Sequence, residues 1–209
     1  LQDSGAANAI CSLTEEERKK GVVTASAGNH AQGVAYCCNQ LKIKGAIFMP
    51  VKSPQIKVNS VRHWGRDYVT IYLVGNTFDE ALTEARKYEK EHGSVFIHAF
   101  DNPLVVEGQG GIAVELLESW EEPNPIDYVI CCVGGGGLMA GIASYLKQMS
   151  PLTKVVGAEP LGCPSMYESM KKGEIVPLTK IDTFVDGAAV GRSGMATFVN
   201  DNDNVGYHL

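Results

Sequence analysis

Along most of the chain, short apolar runs break off in glycine-, serine- or asparagine-bearing loops, and each loop opens a segment whose apolar residues recur at helical spacing. Residues 5–20 read as helical. Thr14 and Glu17 have the spacing of a capping box for the last, charged part of that segment, which stops at Gly21. Val22–Ala25 then reads as a short strand, followed by a helix with Ala31, Val34, Ala35, Cys38 and Leu41 on one face. The next strand is 46–50. Ser53-Pro54-Gln55 predicts a cap with proline at the first helical position, ahead of Ile56, Val58 and Val61. A strand over 68–74, a helix from Asn76 through Tyr88 and a strand over 94–100 continue the alternation.

Residues 101–110 are polar and glycine-rich, 111–119 read as a helix, and Glu121-Glu122-Pro123-Asn124-Pro125 is the expected linker. The most informative stretch follows it. Tyr128-Val129-Ile130-Cys131-Cys132-Val133 is an apolar run that ends in Gly134, Gly135, Gly136 and Gly137, after which Leu138, Ile142, Tyr145 and Leu146 keep helical spacing. The run predicts a strand buried on both faces, as in a parallel sheet covered by helices. A strand over 154–159 and a helix over 163–171 come next; beyond Arg192 strand signals are lost, and 200–204 reads as a frayed end. The whole predicts an α/β protein with a parallel sheet in each of two lobes flanked by helices.

Four glycines at a strand's carboxyl end cost folding entropy and call for a reason. Backbone N–H groups at a helix amino terminus are unpaired and carry about half a positive charge, so the loop is a candidate phosphate cradle. A tight turn packing helix on strand would use the same residues. Ser26-Ala27-Gly28-Asn29-His30 is a second loop of this kind, again at a strand's carboxyl end, where ligands bind in open α/β sheets. In residue terms alone, Asn29 reads as a helix cap and His30 as a packed loop histidine.

The chain has 209 residues, 44% of them hydrophobic and 20% charged, enough for a substantial core. A net charge of −6 with no lysine-arginine cluster argues against nucleic acid as a partner. Six cysteines in two adjacent pairs and two singles, with no C-x-x-C, suit reduced thiols in a cytoplasmic protein rather than a disulfide framework or a zinc site. Neither a signal peptide nor a membrane-spanning run is visible.

Taken in order, Thr24-Ala-Ser-Ala-Gly-Asn-His-Ala-Gln-Gly33, Phe48-Met-Pro50, Gly108-Gln-Gly110, Val133-Gly-Gly-Gly-Gly-Leu138 and Phe184-Val-Asp-Gly-Ala-Ala189 resemble the biosynthetic threonine dehydratases. Those enzymes depend on pyridoxal 5'-phosphate and share the tryptophan synthase β-like fold with serine racemase. The resemblance runs to about residue 198 and implies an ammonia-lyase of isoleucine biosynthesis that converts L-threonine to 2-oxobutanoate. It implies that Gly134, Gly135, Gly136, Gly137 and Leu138 hold the cofactor phosphate and that Asn29 hydrogen-bonds the cofactor's ring oxygen. The backbone of Ser26, Ala27, Gly28, Asn29 and His30 would receive the substrate carboxylate. In lobe terms it places 1–20 with 121–209 in a larger cofactor-binding lobe and 21–120 in a smaller one.

The departures carry equal weight. Gly5-Ala6 sets a register in which Gln2 stands where the family has its Schiff-base lysine, and Ser4 stands where arginine is usual. An amide can neither form the imine nor take an α-proton. The chain covers neither the first strands of the larger lobe nor the partner of the pyridine nitrogen, so an incomplete larger lobe and self-association through exposed sheet edges are expected. A fragment, a degenerate copy and a natural short form all fit. Ala27 replaces the second serine of the racemases, which favours dehydration over racemisation. Glu159 would be one member of a racemase-type divalent-metal cluster, but Ser165 stands where that cluster has an acid.

Two rival readings come from other classes. Gly135-Gly-Gly137-Leu-Met-Ala140 fits G-x-G-x-x-A, with Glu159 roughly twenty residues on as the ribose acid of an NAD-dependent oxidoreductase. A ligand-binding module that kept the phosphate loop and lost its lysine would also explain Gln2.

Overall fold

In the first half of the chain the sheet is built around β1 (Val22–Ala25), which pairs in parallel with β2 (Gly45–Met49) on one side and β4 (Val95–Phe96) on the other. β3 (Val69–Leu73) adds in parallel outside β2, giving the order β3-β2-β1-β4. The computed structural model describes residues 4–202 and 206–207. The chain forms two compact units, Leu1–Ala99 and Phe100–Leu209.

Before β1 come α1 (Ser4–Cys11) and α2 (Glu15–Lys20). α2 starts in the predicted capping box: Thr14 accepts the Glu17 N–H, and the Glu17 carboxylate accepts the Thr14 N–H at 2.8 Å. α3 (Asn29–Leu41), α4 (Gln55–Gly65) and α5 (Phe78–His92) connect the strands. Strand alternation splits the apolar residues between two layers. Val23, Ala25, Ala46 and Phe48 pack with Ala81 and Ala85 of α5, while α3 packs against α1, α4 and β2. All of β1 and β2 is buried, as parallel strands covered on both faces should be. Burial pushes the Cys38 thiol up to about 12, with Cys37 beside it adding to the effect. All six cysteines are free.

The second unit holds β5 (Tyr128–Cys132), β6 (Lys154–Ala158) and β7 (Gly206–Tyr207), parallel and in that order. α8 (Gly137–Met149) covers one face, where Cys131, Val133, Met139, Ile142, Leu146 and Val155 form a core with Met166 and Phe198. α6 (Pro103–Gln109) and α7 (Gly111–Glu118) pack against α8. The helices α6 and α8 meet at Gly141, where a Cβ would stand 2.3 Å from the Val106 carbonyl oxygen.

Several expectations need correction. β5 is not buried on both faces: Tyr128 is 56% and Ile130 71% exposed, because the described helices cover only the side of Cys131. The polar, glycine-rich 101–110 contain a helix for which no element was expected. Asn102 accepts the N–H groups of Leu104 and Val105, and Pro103 stands in the first turn, which starts α6. The strand over 94–100 shrinks to β4, since the Ile97 carbonyl is taken by side chains of Thr24 and His30. Ser53 gives α4 no cap; its buried Oγ has no partner among the described residues. The tail is helical over α10 (Met195–Asn202), which runs into the segment read as a frayed end. No helix among the described residues is long and apolar enough to cross a membrane.

Candidate functional site

The glycine loop leaves β5 at Val133, whose N–H still donates to the Ala158 carbonyl of β6, and enters α8 at Gly137. Each glycine has a packing reason. A Cβ on Gly134 would press on Ala188, and one on Gly135 would enter the Phe100 ring at 2.3 Å. A Cβ on Gly137 would stand 2.9 Å from Phe100 Cβ. Gly136 is the N-cap at φ +91, in the left-handed region, and a Cβ there would meet Met166 Cε at 2.5 Å and Thr197 Cβ at 2.9 Å. The bland reading of the glycines as a tight turn is therefore true of their side-chain positions.

The N–H groups tell a different story. Those of Gly136, Gly137, Leu138 and Met139 make no hydrogen bond among the described residues. They are the orphan donors of a helix amino terminus, and Gly136 has no side chain to cap them. An unpaired N–H is costly where water is excluded, and a phosphate is the group that such donors and the helix dipole suit best. The residues present fit a phosphate on chemistry as well as on loop type.

At the end of β1, Ser26 Oγ accepts the Gly28 N–H at 3.1 Å and closes the turn. Gly28, not Asn29, is the N-cap of α3; Asn29 begins the helix, exposed, and makes no side-chain cap, so the bland reading of it as a cap is corrected. The N–H groups of Ala27 and Asn29 have no partner among the described residues. His30 is 8% exposed, and its Nε2 donates to the Ile97 carbonyl at 3.1 Å beside the Thr24 hydroxyl at 2.8 Å. That is the packed loop histidine read from its apolar surroundings. Gln2 lies outside the described residues.

Glu159 follows β6 and is half-buried. Its two oxygens accept the N–H groups of Met166 at 2.9 Å and Tyr167 at 2.7 Å, at the start of α9 (Ser165–Lys172). Burial pushes its carboxyl above the ordinary range, against the pull of those two N–H groups. Cys163 is raised too, first by burial and then by the Glu159 charge. Among the described residues no group of three or more histidine, cysteine or acidic side chains is placed to hold a metal ion.

A family model described as pyridoxal-phosphate dependent enzyme matches residues 1–208. The chain belongs to the pyridoxal-phosphate-dependent enzyme family. Its fold is the family's tryptophan synthase β-like arrangement of parallel sheets flanked by helices. It is 49% identical to the biosynthetic L-threonine dehydratase of Halalkalibacterium halodurans over 93% of its own length and 46% of that protein's. For the Staphylococcus epidermidis enzyme of the same name the figures are 48%, 96% and 48%. The chain thus spans about half the length of the curated relatives it matches. Among solved structures, the processed form of threonine deaminase isoform 2 from Solanum lycopersicum superposes with a TM-score of 0.89 at 44% identity, over 98% of this chain and 58% of that one. Serine racemase from Dictyostelium discoideum gives 0.85 at 36%, over 100% and 65%.

Membership of this family removes the dinucleotide reading of the glycine loop. Glu159 agrees with that, since both its oxygens are committed to α9 and would have to leave two N–H groups to reach a ribose. Sequence reasoning missed three residues that shape the loop: Phe100 under Gly135, Thr197 against Gly136, and Asp101, whose Oδ1 accepts the Ala196 N–H at 2.8 Å. Asp101 and Ala196 are 95 positions apart, so no local pattern pointed to them.

Proposed function

We propose that this chain provides the phosphate-binding and substrate-carboxylate-binding loops of a pyridoxal-phosphate-dependent ammonia-lyase that converts L-threonine to 2-oxobutanoate and ammonia. The observation that carries it is the row of unpaired N–H groups from Gly136 to Met139 at the start of α8, in a chain that is 48–49% identical to biosynthetic threonine dehydratases over most of its length.

Pyridoxal phosphate, when bound, supplies an electron sink that acidifies the α-carbon of an amino acid. The chain's own residues bind and orient. Gly134 to Leu138 hold the phosphate dianion against the helix dipole. The N–H groups of Ala27 and Asn29, on the loop that Ser26 closes, take the substrate carboxylate, and the Asn29 side chain, which is exposed, is the hydrogen-bond donor for the cofactor ring oxygen in this reading. Buried His30 ties the start of α3 to the Ile97 carbonyl. Forming the imine needs an amine and removing the α-proton needs a base, and the Gln2 amide is neither. Residues 1–20 join 121–209 as the cofactor lobe in this reading, and the free cysteines suit a cytoplasmic protein. Ala27 in place of a second serine supports dehydration rather than racemisation.

The test is 2-oxobutanoate release from L-threonine by a Gln2→Lys variant carried in the flanking segments of a complete dehydratase. Turnover well above that of the same chimera with Gln2 supports the reading. Interconversion of L- and D-serine without 2-oxobutanoate formation would replace it with the racemase.

A further inference from the structure

Against the glycine loop, in contact with Gly135 and Gly136, lies Thr197. It is fully buried, and its Oγ1 donates to the Gly135 carbonyl at 2.7 Å, with the Gly194 carbonyl as a second acceptor at 3.0 Å. The Gly194 N–H reaches the same Gly135 oxygen at 3.3 Å. The residue is held in turn by the start of α10, where Asp101 accepts the Ala196 N–H. A hydroxyl 62 positions away in sequence therefore grips one specific peptide of the loop.

That peptide matters because its carbonyl belongs to Gly135 and its N–H to Gly136. In a trans peptide the two point in opposite directions. Anchoring the carbonyl against Thr197 turns the Gly136 N–H away from α10, among the free N–H groups of Gly137 and Leu138 at the α8 amino terminus. Glycine at φ +91 can rotate at little steric cost, so the loop by itself does not set this plane. We propose that Thr197 is a positioning residue for phosphate binding: its hydroxyl fixes the Gly135–Gly136 peptide so that the Gly136 N–H is presented to the anion.

The proposal rests on the reading of the loop as a phosphate site and goes beyond it by naming what preorganises the loop. Donors aimed before the ligand arrives bind it without the cost of ordering. The longer Gly194 contact cannot replace the hydroxyl, since the Thr197 bond is 2.7 Å against 3.3 Å.

The experiment is equilibrium dialysis of pyridoxal phosphate and of pyridoxal, which lacks the phosphate, against the unmodified chain, Thr197→Val and Thr197→Ser, with the melting temperature of each ligand-free protein recorded. Valine keeps the shape and removes the hydroxyl. Losing one such bond should weaken pyridoxal phosphate binding about tenfold, leave pyridoxal binding unchanged, and be reversed by serine. Wild-type affinity in Thr197→Val, an equal loss for both ligands, or no rescue by serine would overturn the proposal. An unmodified chain that binds both ligands alike, or neither, would overturn the phosphate reading itself and the proposal with it.

Discussion

Glu159 Oε2 accepts the backbone N–H of Tyr167 at 2.7 Å, across the turn that joins β6 to α9. Its other oxygen takes the Met166 N–H, so one side chain satisfies two of the orphan donors of α9. The cost is a half-buried charge. Burial raises the carboxyl's pKa in the folded protein, so the folded state binds this proton more tightly than the unfolded chain does. The contribution of Glu159 to stability is then greatest below the ordinary carboxylate range and declines as pH rises through the raised value. Melting curves of the unmodified chain and Glu159→Gln, compared from pH 4 to 7 (roughly the carboxylate titration range), should show the difference moving toward the variant as pH rises. A difference that moved the other way would mean that the N–H groups outweigh burial.

Gly136→Ala should destabilise by about 2–3 kcal/mol, since it adds both a strained φ and a clash with Thr197 and Met166. Gly93 is the control: its φ is +65 but nothing lies within 4 Å of an added Cβ, so Gly93→Ala should cost only about 1 kcal/mol. Urea titrations at one pH compare the two, and equal losses would show that the loop is not tightly packed from behind.

β5 pairs with β6 alone among the described residues, and its outer face presents Tyr128 and Ile130. Unpaired edges and apolar surface of this kind promote association. Sedimentation velocity should show self-association that Ile130→Lys reduces. A monodisperse monomer before the substitution would contradict the expectation.

Borohydride reduction in the presence of pyridoxal phosphate should leave no adduct on residue 2, because an amide cannot be trapped. Peptide mass spectrometry reads the outcome, and an adduct on a lysine elsewhere would show that the register through Gly5-Ala6 misplaces the attachment point. The unmodified chain should likewise release no appreciable 2-oxobutanoate from L-threonine, since losing positioned acid-base help alone costs about 10²–10⁴-fold.

What could be read from the residues was local. Thr14 with Glu17, Thr77 at the start of α5 and the four-residue strand β1 each follow from a spacing or a cap within a few positions. The Asn102-Pro103 start of α6 was equally local and was hidden by the glycines that follow it. Burial of β5 could not be read, because an apolar run records that a residue tolerates burial and not which helices arrive to cover it. The glycine loop was legible as a loop, whereas Phe100, Thr197 and Asp101 behind it depend on contacts made across tens of residues.

The most direct test of the central claim is amide NMR of the chain labelled with ¹⁵N during titration with pyridoxal phosphate. If the loop is the phosphate site, the amides of Gly136, Gly137, Leu138 and Met139 shift downfield together and saturate with the cofactor's absorbance. Cofactor binding that leaves those four amides unmoved would contradict the account.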